Sequence, residues 1–452
     1  MHHRAAQTHR LRRPIGIVLT GGLLVVGSLI LLLPAGPSGA GSASGSQAKA
    51  STSGTTSSST RSSSTRQAKI ATVTGRAATS RAATSSGAAS ASSPKPKAAP
   101  IVGSASASAA PRTAATSGAA RPRVFAYYYL WWSINHWKGA LGSHYPSTAA
   151  PLPLPAQLDA NGCHPKSLYS GNTLTDVPRT LYSQDSPGVI EADVREAAAA
   201  GLTGFIVNWA GSGTSGQTLT STPYNGRLQL MVDAVHKVNA AGIPFKLWLS
   251  YKASATVLPL SHIDQDLNYI LAKYAHDPAF DRAQSPRLTI IWQGSRKYAT
   301  SALQTISGKY RSAARILGDE SSWSISRASY LDGNAYYWSS QNPYSNPQSF
   351  TQLAALANTV RVSGTNPDGT RKVWVAPLTP GFDTQLAGGS ACVPRRNGQT
   401  LSALFAGNAA THPDAFGLIS WNEVTEATYI DPMTRYGSQS LTVLSGLIKK
   451  GA

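Results

Sequence analysis

Acidic residues are scarce. The 452-residue chain has 20 Asp and Glu against 40 Lys and Arg, a formal net charge of +20. None of those acids falls in residues 1–120, which hold 13 of the basic residues. The rest of the chain is therefore only mildly basic, with 27 basic residues to 20 acidic ones. A fold built for nucleic acid would concentrate its charge on the folded part instead, so no nucleic-acid partner is expected. Cysteine is almost absent: two residues cannot make a disulfide scaffold. Only one apolar run is long enough to span a bilayer, which excludes a polytopic membrane protein. No Gly-rich phosphate loop follows any candidate strand, so no nucleotide cofactor, and no cofactor at all, is expected.

Residues 1–36 read as an address. Arg4, Arg10, Arg12 and Arg13 precede the uncharged run Pro14–Pro34. About 20 such residues cross a membrane, and the flanking charge puts the N-terminus in the cytoplasm. The run exceeds a usual signal-peptide core, favouring an uncleaved anchor through residues 14–34. The small residues Ala35–Ala40 leave cleavage, and hence secretion, as the alternative. Residues 37–120 are Ser-, Ala- and Thr-rich, without Trp, Tyr or Phe. Such a segment cannot bury enough apolar surface to offset its ordering entropy. It reads as a disordered extracytoplasmic linker. Its positive charge either keeps it extended or holds it to an anionic wall polymer.

Residues 121–452 alternate apolar runs with amphipathic stretches. Strands are expected at Val124–Trp132, Gly204–Trp209, Phe245–Tyr251, Leu288–Trp292, near Trp323–Arg327, Asn334–Trp338, Lys372–Pro377 and Phe416–Trp421. Helices are expected between them, among them Arg227–Ala241 and Ser301–Leu317. About eight strand–helix units in this length match a (β/α)8 barrel, the α/β class in which active sites gather at the C-terminal strand ends. An open doubly wound sheet is the runner-up.

Those strand ends are rich in rings and amides: Tyr127, Tyr128, Tyr129, Asn208, Trp209, Tyr251, Tyr337 and Asn422. Any single one is ordinarily core packing. Together they suggest a glycan groove, with rings stacking on sugar C–H faces and amides bonding hydroxyls. Glu423 and Glu426 stand three apart just beyond the last strand. Two carboxylates are what glycosidic cleavage needs, one to protonate the leaving oxygen and one as base or nucleophile. The plain alternative is a helix first turn, where Glu complements the dipole.

The segment Trp421–Pro432, WNEVTEATYIDP, resembles the strand-8 motif of glycoside hydrolase family 99, the endo-α-mannosidases and mannanases. In order along the chain, FAYYYLWW, Asp185–Gly211, YAHDPAF and LTPGFDTQ with Arg395-Arg396-Asn397 resemble further family segments. The likeness spans most of residues 122–435. The strand-8 motif is also similar to that of the family 71 α-1,3-glucanases. The resemblance implies a polysaccharide substrate, with Glu426 as general acid/base and Glu423 as the base that deprotonates the sugar 2-hydroxyl. It further implies that Tyr128 and Trp209 line the −1 sugar pocket, and that Asp383 and Arg396 hold neighbouring hydroxyls. The family carries a Glu at the end of strand 3. Here that stretch, Leu247–Tyr251, has no acid, and Thr425 and Ala427 replace a His and a Gly of the motif. A catalytically impaired barrel that binds wall or capsule glycans is therefore the second reading.

Cys163 and Cys392 fall in the loops after strands 1 and 7. Outside the cytoplasm they are expected to pair. His136, His144 and His164 have no recognised metal spacing, and no metal site is expected.

Overall fold

The computed structural model describes residues 121–148, 163, 174, 176–213, 221–252, 257–385 and 388–451. The expected anchor and linker, residues 1–36 and 37–120, lie outside them. Among the described residues no helix is long and apolar enough to cross a membrane.

Eight parallel strands close a barrel. In chain order they are β1 Val124–Tyr129, β2 Gly204–Trp209, β3 Lys246–Lys252, β4 Leu288–Gln293, β5 Ala314–Gly318, β6 Gly333–Ala335, β7 Val373–Leu378 and β10 Ala415–Leu418. Each pairs with its chain neighbour, and β10 returns to β1 through Val124↔Phe416. Two short antiparallel strands, β8 Phe382–Asp383 and β9 Cys392–Val393, form a hairpin in the loop after β7. The helices are α1 Ile134–Leu141, α2 Pro187–Ala199, α3 Ser221–Ala240, α4 Leu260–Tyr274, α5 Thr300–Tyr310, α6 Ile325–Ala328, α7 Ser349–Val362, α8 Gln399–Ala409 and α9 Gln439–Lys450. The expected (β/α)8 architecture is the one observed.

One stretch differs from the expected elements. The helix expected over Ser301–Leu317 stops at Tyr310, and its last part is β5. The strand expected near Trp323–Arg327 holds only the single-turn α6. β5 is five residues long and buried on both faces, so it shows no period of two. Its one polar residue, Arg315, points into the barrel and donates to Thr289 Oγ1 at 3.0 and 2.8 Å.

Alternation along each strand splits the core into two layers. Tyr128, Phe205, Trp209, Leu249, Tyr251 and Trp292 pack outward against the helices. Phe125, Tyr127, Tyr129, Ile206, Trp248 and Leu317 pack within the barrel. The N-terminal half of the interior is filled by Phe125 stacked on Trp248, 4.3 Å between centroids. Asp281 closes that end, accepting from Arg123 at 2.5 Å and from Trp248 Nε1 at 3.0 Å. A second set of polar inward positions lies at the opposite, C-terminal mouth.

Candidate active site

Following the inward parity to the strand ends gives Tyr129 on β1, Asn208 on β2, Lys252 on β3 and Gln293 on β4. Asp319 and Tyr337 stand just past β5 and β6. These groups bond to one another. Tyr129 Oη and Tyr337 Oη lie 2.6 Å apart. Asn208 Nδ2 donates to Gln293 Oε1 at 3.1 Å. Asp319 accepts the Tyr337 amide at 3.0 Å and the Gly294 amide at 3.1 Å. The mouth is therefore a preorganised polar ring above the stacked Phe125 and Trp248.

The two glutamates reach this ring from a tight turn, not from a helix. The next helix after β10, α9, begins only at Gln439, so dipole complementation does not account for them. The Glu423 amide donates to Ser420 Oγ at 2.8 Å, and the Thr425 amide donates to Glu423 Oε1 at 3.0 Å. The Thr428 amide closes the turn on the Glu423 carbonyl at 3.2 Å. Ala427, where the resemblance has Gly, turns the chain with φ of 54°. Asn422 anchors the turn: its side chain accepts the Tyr129 amide at 2.8 Å and donates to the Tyr129 carbonyl at 3.0 Å. Its carbonyl accepts from Trp132 Nε1 at 2.8 Å.

Burial and the neighbouring charge of Glu426 push the Glu423 carboxyl up to about 8, against the opposing pull of Lys252. Burial in turn lowers Lys252, while the charges of Glu423 and Glu426 hold it up. The Lys252 ammonium sits 5.2 Å over the Trp131 ring, and Trp131 stacks on Tyr129 at 4.4 Å. Burial, reinforced by both glutamates, raises the Tyr129 hydroxyl well above its ordinary value. Tyr337 is likewise raised, first by burial. Both tyrosines therefore stay neutral hydrogen-bond donors. Two carboxyls, one ammonium, two phenols and a half-buried indole thus gather at the mouth.

Several residues expected at the site are elsewhere. Tyr128, Trp209 and Tyr251 face the helix layer and are buried there. Tyr128 Oη donates to Asp193 at 2.7 Å, Trp209 Nε1 to Asn225 at 2.8 Å, and Tyr251 Oη to Asp266 at 2.7 Å. They fasten helices to the barrel and do not line the mouth. Asn422 spends its side chain on Tyr129 backbone, so it holds the glutamate turn and not a sugar hydroxyl. Arg396 is exposed, its guanidinium 3.8 Å over the Tyr344 ring. Its neighbour Arg395 is the buried one, donating to the Ala427 carbonyl at 2.9 Å and the Tyr429 carbonyl at 2.7 Å. Asp383 is buried on β8, and its amide donates to the Glu426 carbonyl at 2.8 Å. Cys163 and Cys392 form a disulfide, with Cα atoms 6.2 Å apart. Among the described residues no three His, Cys, Asp or Glu gather as a metal site. His164 lies outside those residues.

A closed (β/α)8 barrel with a carboxylate pair at its C-terminal mouth has the plan on which many glycosidic sites are built. No protein-family profile and no curated protein sequence matches the chain. Among solved structures, the GH99 endo-α-mannosidase from Bacteroides thetaiotaomicron in complex with bis-tris propane shares the fold. The TM-score is 0.53 at 14% identity, over 73% of this chain and 96% of that one. A second structure of that enzyme matches with TM-score 0.53 at 15% identity and the same coverage. The chain therefore shares its fold with this enzyme, in keeping with the resemblance seen in the sequence.

Proposed function

We propose that this chain is an extracytoplasmic, endo-acting α-glycoside hydrolase of a polysaccharide, either an α-mannan or an α-glucan. The observation that carries the reading is the Glu423–Glu426 pair on one turn at the barrel mouth, Glu423 buried and Glu426 half-buried, near enough that the charge of Glu426 raises the Glu423 carboxyl. A carboxyl pair that shares a proton is suited to acid and base work in one step.

In the proposed reaction Glu426 gives its proton to the glycosidic oxygen as the bond to C1 breaks. Glu423 takes the proton of the 2-hydroxyl, and that oxygen closes on C1 to give a 1,2-anhydro sugar. Water then attacks C1, losing its proton to Glu426, while the ring oxygen at C2 recovers the proton from Glu423. Both glutamates return to their starting states, and C1 is inverted twice, so the anomer is retained. Tyr129 and Tyr337, kept neutral, would donate to sugar oxygens, and Trp131 would stack on a neighbouring ring. The disulfide supports an oxidising compartment. Anchoring through residues 14–34, and contact of residues 37–120 with an anionic wall polymer, belong to the same proposal.

The second reading, an impaired barrel that binds glycan, draws on Lys252, whose positive charge faces the carboxylates where another acid would add to them. One experiment separates the two. The full chain is incubated with α-mannans, α-1,3-glucan and other α-glucans, and the first-formed anomer of new reducing ends is read by proton NMR. Release of the α-anomer first supports the hydrolase and its retaining course. Release of the β-anomer first rejects 2-hydroxyl participation. Binding without any new reducing end selects the impaired binder.

A further inference from the structure

We propose that Asn208 and Gln293 form a specificity-determining clamp that reads a vicinal diol of the bound sugar, so that the polymer taken at the mouth is not α-1,3-linked. This deepens the reading of the mouth as a glycan site and rests on it. Strand parity sets the clamp. Ile206, Trp248 and Ile291 pack within the barrel, so Asn208, Ser250 and Gln293, each two residues on, face inward again at the rim. Tyr129 pairs in register with Asn208, and Asn208 with Ser250. The clamp therefore abuts the Tyr129–Tyr337 hydroxyl pair. Asn208 Nδ2 donates to Gln293 Oε1 at 3.1 Å, and Ser250 Oγ reaches the same oxygen at 3.5 Å. The strand-3 stretch Leu247–Tyr251 carries no acid, so no carboxylate from it competes with the amides for a ligand's hydroxyls.

One amide-to-amide hydrogen bond uses one donor and one acceptor. Whichever amide donates, the pair keeps one carbonyl oxygen and one NH2 group for a ligand. Here these are Asn208 Oδ1 and Gln293 Nε2, and neither makes a further hydrogen bond among the described residues. Asn208 is buried and Gln293 half-buried. An acceptor and a donor held one hydrogen bond apart match two adjacent sugar hydroxyls. One hydroxyl donates to the carbonyl, and its neighbour accepts from the NH2. A single hydroxyl fills only one of these groups and leaves the other unpaired once water is excluded, which weakens binding. Linkage then decides which polymers fit. An internal 1,3-linked hexopyranose keeps free hydroxyls at C2, C4 and C6, and no two of these carbons are adjacent. A 1,2-linked residue keeps the C3–C4 pair, a 1,4-linked residue the C2–C3 pair, and a 1,6-linked residue all of C2, C3 and C4. The clamp therefore selects a backbone from these three linkages.

The test reads linkage selectivity with the full chain. α-1,6-Mannan, α-1,4-glucan and α-1,3-glucan are coupled to the same beads, and depletion of the chain from solution gives a Kd for each. New reducing ends are measured in parallel. The chain is expected to bind at least one of the two diol-bearing polymers about tenfold or more tighter than α-1,3-glucan. Gln293→Glu keeps the acceptor for Asn208 but removes the NH2, and Asn208→Ala removes the carbonyl oxygen. Each is expected to weaken the diol-bearing polymer about tenfold and to leave α-1,3-glucan within about twofold, so that the selectivity collapses. A purely structural role would weaken all three polymers together. Equal binding of the three, a preference for α-1,3-glucan, binding to none, or a selectivity unchanged in both variants overturns the proposal. Preferential cleavage of α-1,3-glucan overturns the clamp and keeps the hydrolase reading. Diol-selective binding that both variants abolish, with no new reducing ends, keeps the clamp and removes the hydrolase reading.

Discussion

The amide of Asp383 donates to the carbonyl of Glu426 at 2.8 Å, and Asp383 is itself the cross-strand partner of Cys392. The disulfide from Cys163 thus ends one pairing away from the backbone of the proposed acid. It closes a sequence separation of 229 residues, which by loop entropy contributes about 5 kcal/mol. Reduction, or Cys392→Ser, is expected to lower the melting temperature. It is also expected to cut kcat by about tenfold through displacement of Glu426. Thermal melting and steady-state kinetics with and without reductant check both effects. Unchanged kcat after complete reduction would show that the hairpin does not set Glu426.

Arg395 and Arg396 are adjacent, yet they are expected to behave as opposites. Arg395 lies between the Tyr429 and Tyr436 rings, 4.3 and 4.4 Å from their centroids, and ties down the carbonyls of Ala427 and Tyr429. Arg395→Met should cost about 2–4 kcal/mol, because it leaves buried carbonyls unsatisfied. Arg396→Ala should change stability by less than about 0.5 kcal/mol, as for an exposed site. Urea titration of the two variants decides it.

Tyr128, Trp209 and Tyr251 should likewise report on stability and not on substrate. Tyr128→Phe and Tyr251→Phe each remove the donor to a buried aspartate, a loss of about 1–3 kcal/mol. KM for a responding polymer is expected to stay within about twofold. A rise in KM of tenfold or more in either variant would return that residue to the sugar pocket.

These residues also mark where the sequence stops being readable. Seven of the eight strands, and the position of Glu423 and Glu426 just beyond the last one, were legible, because long apolar runs and a paired-carboxylate motif survive in one dimension. Parity was not. Parallel strands buried on both faces lack polar alternation, so Tyr128 and Tyr129 look equivalent until register assigns them to opposite layers. A shift of one position moves every side chain to the other face. The same cause hid Lys252, which sits one residue past the expected end of the third strand. It also hid β5, whose five residues continue a helical pattern. Lone cations at strand ends in an acid-poor mouth are the signal that could have found Lys252. The Cys163–Cys392 link rested on compartment chemistry, and the structure adds what spacing cannot, namely its pairing to Asp383.

Asp193 gives a stability prediction with a definite sign. Burial, with the charge of nearby Glu196, raises its carboxyl to about 7, against the Tyr128 hydrogen bond. Asp431, itself raised first by burial and then by the Asp193 charge, faces the same group. The folded chain therefore keeps a proton on Asp193 that the unfolded chain loses near its ordinary value of 3.8. Stability tied to Asp193 is full below about pH 4 and declines as pH rises toward 7, by up to roughly 4 kcal/mol. Asp193→Asn, which can still accept from Tyr128, is expected to flatten that part of the profile. Urea midpoints of both proteins at pH 5 and pH 7.5 check it, and equal pH dependence in the two would contradict it.

The most direct measurement is polymer cleavage by the wild-type chain beside Glu423→Gln and Glu426→Gln, each confirmed as folded by near-ultraviolet circular dichroism. The wild-type chain is expected to release new reducing ends from an α-mannan or an α-glucan. Each variant, which keeps the side-chain shape but cannot exchange a proton, is expected to lose about 100-fold or more in kcat. Cleavage that persists undiminished in both variants would contradict the carboxylate-pair mechanism.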